Sequence, residues 1–117
     1  MTANTPRSRK SKGAKFQKEI RQRLLETFTQ LEEDDIKTAI MGESGMDLHL
    51  SPAAQKLFPY AVEAKAQEKV SLRVWWEQAK TNAGKLKPLL ITKQSRKEPL
   101  VIMTLDDFLE LVGNKEV

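Results

Sequence analysis

The sequence predicts one α/β domain with its elements in the order α, three β, α, two β, α, and three observations predict it. Phe16, Ile20, Leu24, Phe28 and Leu31 recur at steps of four and three, which marks one face of an amphipathic helix. Short apolar-rich runs at Tyr60 to Lys65, Pro88 to Ile91 and Leu100 to Met103 have the length of strands, not helices. At 117 residues the chain has room for a single core.

The elements follow in order. Residues 1–12, rich in Thr, Ser, Arg and Lys, read as a flexible basic arm, with the folded domain over 13–113 and a short tail at 114–117. The first helix is expected from Ala14 to about Glu32, where four consecutive acids are poor company for a helix C-terminus and imply a turn. Ile36 to Met41 and Met46 to Leu50 read as two strands around a glycine-flanked turn, the second alternating Met46, Leu48 and Leu50 with Asp47 and His49. Ser51-Pro52 opens a helical turn to Lys56, since Ser caps well and Pro suits the first helical position. Tyr60 to Lys65 is the third strand. Leu72, Trp75, Trp76, Ala79 and Ala83 then keep helical spacing up to Gly84. After the last two strands, Thr104 with Asp106 and Asp107 marks a capped helix that runs to about Val112.

Charge is uneven along the chain. Eight basic residues face Glu19 alone between Met1 and Arg23, whereas the remainder sums to −3 in a chain of net +4. A basic segment on a mildly acidic body suits a polyanion such as DNA, although a solvated tail has the same composition. The absence of cysteine excludes disulfides, thiolate metal sites and cysteine nucleophiles, and the single His49 excludes sites built from several imidazoles. No apolar run has the length of a membrane span and the first residues lack the apolar stretch of a secretory signal, so a cytoplasmic location is expected.

Glu63-Ala64-Lys65 is the most informative triplet. In a strand Glu63 and Lys65 project to one side while Val62 and Ala64 face the other. If the run carrying Asp47 pairs alongside, two carboxylates and one lysine converge, a set suited to a hard divalent cation and to phosphodiester hydrolysis. Taken alone, the triplet reads better as an ion pair at a strand edge.

Taken in order, Lys12-Gly13 opening the first helix, the segment from Met41 to Asp47, Glu63-Ala64-Lys65, Gln78 and Pro88-Leu89-Leu90-Ile91 resemble the PD-(D/E)xK nuclease superfamily, and within it Holliday-junction resolvase-like and small phage-encoded endonucleases. The resemblance implies a restriction-endonuclease-like fold, a mixed central sheet of about five strands flanked by helices. It also implies an Mg²⁺-dependent endonuclease, Mn²⁺ substituting, acting on branched DNA as a homodimer. Asp47 and Glu63, with the carbonyl of Ala64, become metal ligands, Lys65 the catalytic lysine, and Gln78 a further active-site residue. Met46 stands where the motif's proline would be, and Gln17 where archaeal resolvases carry an acid. Glu19 is a substitute for that acid, although two helical positions rotate a side chain by roughly 200°.

Several residues carry two readings. Arg7, Arg9, Lys10, Lys12, Lys15, Gln17 and Ser44 are candidate DNA contacts, while the glycines beside Ser44 also serve a plain turn. Glu43 is an outer-sphere ligand or a solvated acid, and His49 a wall of the cleft. Gln78 is equally an exposed polar helix residue. Trp75 and Trp76 suit core packing, with one of them free for a dimer contact or for DNA. Lys93, Arg96 and Lys97 grip phosphates or simply solvate a turn. Rival functions are a nuclease for duplex or flap ends and a non-catalytic DNA-binding protein of the same fold.

Overall fold

A computed structural model describes residues 6–40 and 45–114, with side chains from Lys10 onward. The first helix, α1, spans Pro6–Thr27, and thus begins well before the expected start near Gly13 and stops before Glu32. Both shifts have local causes. Proline is preorganised for a first helical turn and the Arg and Lys residues behind it are good helix formers, so the basic segment continues the helix. At the other end the acids leave the helix and form a short 3-10 turn over Glu33–Asp35. Asp35 accepts hydrogen bonds from the Glu32 N–H at 2.8 Å and the Ser51 hydroxyl at 2.6 Å. Arg21 fastens this turn to α1 by donating to the carbonyls of Glu33 and Ile36.

Strands β1 (Ile36–Thr38) and β2 (Leu48–Leu50) form an antiparallel ladder of three residue pairs. Helix α2 (Pro52–Leu57) follows, and the Ser51 hydroxyl accepts from the Ala54 N–H at 3.1 Å as its cap. Strand β3 (Tyr60–Ala66) then pairs in parallel with β4 (Lys87–Lys93), joined through α3 (Leu72–Asn82). Gly84, at φ 59°, takes the left-handed conformation that ends a helix and that a side chain would disfavour. Strand β5 (Leu100–Ile102) adds to β4 antiparallel, and α4 (Leu105–Gly113) closes the described chain, capped by Thr104.

The expected α/β class and five strands are present, but not as one central sheet. They divide into a two-stranded sheet β1-β2 and a mixed three-stranded sheet β3-β4-β5. β2 is too short to lie along β3. Among the described residues the two sheets instead meet at one backbone bond, from the Asp47 N–H to the Val62 carbonyl at 3.1 Å.

The main core lies between α1 and the sheets, where Phe16, Ile20, Ile36, Leu48, Val62 and Ile91 pack together. A smaller one on the other face joins Trp75 and Ala79 of α3 to Leu90, with Trp76 and Ile102 against it. No helix among the described residues is long and apolar enough to cross a membrane.

Candidate active site

Alternation along β3 sorts its side chains between these two cores. Val62, Ala64 and Ala66 pack on the α1 side, so Glu63 and Lys65 emerge toward α3. Glu63 is only 6% exposed, yet both carboxylate oxygens are engaged. Oε2 lies 3.5 Å from the Lys65 ammonium, and Oε1 accepts from the Asn82 side-chain amide at 3.3 Å.

Asp47 reaches the same place from the loop before β2. Its Oδ2 accepts from the Ala64 N–H at 2.7 Å, so a side-chain oxygen takes the position that a paired strand's carbonyl would fill. The break between the two sheets is therefore what admits a carboxylate to the β3 edge. Burial pushes the Asp47 carboxyl above its ordinary range, against the opposing pull of the Ala64 bond and of Lys65. Burial likewise raises Glu63, and the neighbouring Asp47 carboxylate raises it further, while Asn82 and Lys65 pull the other way. Two partly desolvated carboxylates that repel each other, with one ammonium beside Glu63, favour an added cation.

Beside Lys65 in the parallel ladder stands Thr92, on the same face as Leu90 and buried to 8% exposure. Its hydroxyl has no hydrogen-bond partner among the described residues. Buried hydroxyls are ordinarily satisfied, which makes Thr92 part of the site's unfilled bonding capacity.

Two residues here escaped the sequence reading. Asn82, not Gln78, bonds Glu63. Gln78 is exposed one turn earlier on α3, where it and Asn82 line a groove of about 540 Å³. The spacing of four between them was the available signal, since it places both on one helix face. Thr92 was visible only as a polar residue following an apolar run.

Glu19 does not join the carboxylates. It lies on the α1 side, paired with Lys93 at 3.5 Å and with Arg23 at 3.8 Å. The helical rotation that separates it from Gln17, which is half-buried on α1, turns it toward the end of β4. There Lys12, Lys15, Lys93 and Arg96 line a cleft of about 450 Å³ together with Phe16, Glu19 and Glu68. Glu68 accepts from the Ser95 N–H at 2.8 Å and Gln94 donates to the Glu68 carbonyl at 2.6 Å, so the β4–β5 turn bearing Arg96 is fixed against the end of β3. Lys10 is exposed on α1, and His49 is exposed on β2. Trp75 is buried and Trp76 half-buried. The side chains of Arg7 and Arg9, and the residues Glu43 and Ser44, lie outside the described residues.

Among the described residues, no three or more acids, histidines or cysteines cluster as a metal cage. Two carboxylates and a lysine instead meet at the edge of a mixed sheet. The model of a family described as "Phage putative PDDEXK endonuclease" matches residues 8–116, and the chain belongs to that family. No curated protein and no solved structure matches the chain.

Proposed function

We propose that this PD-(D/E)xK-family chain is an Mg²⁺-dependent endodeoxyribonuclease that acts on branched DNA, as a homodimer in the cytoplasm of a phage-infected cell. The observation that carries the proposal is the transfer of the Asp47 carboxylate across the gap between the sheets onto the Ala64 N–H, beside Glu63 and Lys65. Mg²⁺ accepts hard oxygen ligands and retains several waters, so two carboxylates and the Ala64 carbonyl suffice on the protein side. The mutual repulsion of Asp47 and Glu63 supports that fit. When bound, the ion polarises the phosphodiester and makes water a better nucleophile.

The chain's own residues do the rest. Asp47 and Glu63 hold the cation, and Asn82 fixes the Glu63 carboxylate. Lys65 keeps a positive charge where negative charge grows on the phosphate oxygens, a stabilisation that strengthens in a partly dehydrated site. Lys12, Lys15, Lys93 and Arg96 attract the DNA backbone without regard to sequence.

The deciding experiment compares cutting of a labelled four-way junction, a flap and a linear duplex by wild type and Lys65→Ala, each with Mg²⁺ and with chelator. Cutting of the junction alone, lost in the variant and in chelator, is the expected result. Equal cutting of the linear duplex would replace the branched substrate with an ordinary one. Tight binding without cutting, in Mg²⁺ or Mn²⁺, would leave a binding protein.

A further inference from the structure

Large apolar side chains remain uncovered at one edge of the molecule. Leu100 and Val101 of β5, and Leu105, Phe108, Leu109, Leu111 and Val112 of α4, are between 46% and 69% exposed. Leu105, Phe108, Leu109 and Val112 fall at helical spacing and so form a stripe. β5 is the outer strand of β3-β4-β5, and among the described residues no strand pairs with its free side. Two residues separate β5 from α4, which is tied back to the start of β4 by the Lys87–Glu110 ion pair at 2.9 Å.

We infer that this edge is the interface with a second copy of the chain, in which β5 pairs antiparallel with its counterpart about a two-fold axis perpendicular to the sheet. Three features select a second copy as the occupant. The α4 stripe, with Leu100 and Val101 on the two faces of β5, extends exposed apolar surface along the unpaired edge, as interaction surfaces do. An isologous contact requires a self-complementary surface, which an unpaired edge strand provides through its own backbone groups. Charge agrees as well. Antiparallel pairing brings the residues before β5 in one copy, with exposed Lys97, toward the residues after β5 in the other, with Asp106 and Asp107 in the first turn of α4.

The pairing itself does not depend on the nuclease reading, but its consequence does. A perpendicular two-fold keeps both copies of β3 in one continuous six-stranded sheet with the same face up. Five strand spacings of about 4.8 Å then put the two Glu63-Lys65 pairs about 24 Å apart on that face, where one DNA molecule meets both.

The test is the mass of the full chain by light scattering after size exclusion, at concentrations from 1 to 100 µM. Wild type is expected at twice the 13.3 kDa of one chain. Leu105→Glu/Leu109→Glu, changed at positions already exposed, is expected to stay folded by circular dichroism and to weaken the dimer at least about 100-fold. Lys97→Glu and Asp106→Lys should each weaken it, and the two together should restore it. A monomeric wild type, a larger assembly, or an undiminished dimer in the double glutamate variant would overturn the inference. Nicking of a junction under single turnover is scored separately, so loss of cutting by a dimeric protein counts against the nuclease reading alone.

Discussion

The two faces of β3 carry opposite chemistry. Toward α1, Val62, Ala64 and Ala66 enter a cluster with Phe16, Ile20 and Leu48, a packing that stabilises the fold. Toward α3, alternating with them along the same backbone, stand Glu63 and Lys65, whose burial costs stability. One strand therefore carries both the anchor and the strain. A reactive site needs charges partly removed from water, and only a well-packed opposite face can hold them there.

Exchanging properties between these faces breaks the comparison in opposite directions. Glu63→Gln is expected to lower Mg²⁺-dependent cutting by about 1000-fold, as loss of a charged ligand does. The same change should raise thermal stability by about 1 kcal/mol, because the buried carboxylate opposed by Asp47 is gone. A destabilised Glu63→Gln protein would refute this account of the face. Val62→Ala, 1% exposed on the other side, should do the reverse. It is expected to cost about 2 kcal/mol in denaturant unfolding and to leave the cutting rate of the folded fraction unchanged.

Smaller changes sharpen the picture. Asn82→Ala removes the amide that orients Glu63 Oε1, and cutting should fall by about 10-fold with little change in DNA affinity. Thr92→Val, which keeps the shape and deletes the unpartnered hydroxyl, should leave unfolding free energy equal or higher. A clear loss of stability would show that the hydroxyl already has a structural partner.

One modest expected effect lies far from the site. Ser51→Ala deletes the α2 cap and should cost about 1 kcal/mol. Ser51 is also the main cause, with the Glu32 N–H, that holds the Asp35 carboxyl below its ordinary range. A carboxyl lowered in the folded state stabilises fully above its unfolded pKa, and that contribution disappears as pH falls through the folded value. The stability gap between wild type and Ser51→Ala should therefore be widest at neutral pH and narrow below about pH 4, as read from unfolding midpoints.

Much of this was legible in the chain. Ser51 and Thr104 marked their caps, Gly84 its helix end, and the alternation from Tyr60 to Lys65 assigned Glu63 and Lys65 to one face. These are local properties, set by backbone dihedrals and by the period of the element. Helix limits were less legible, because Pro6 suits a first helical turn as well as it suits a loop.

What sequence alone determined is the set of elements and the side of each element that a given residue occupies, since both follow from short-range sterics and period. Tertiary structure decided which residues meet. Asp47 reaches Ala64 because β2 stops short of β3, Asn82 rather than Gln78 reaches Glu63 because of how α3 lies on the sheet, and Glu19 is drawn to Lys93. Such meetings depend on the relative placement of whole elements, a long-range quantity to which no single stretch of residues is sensitive.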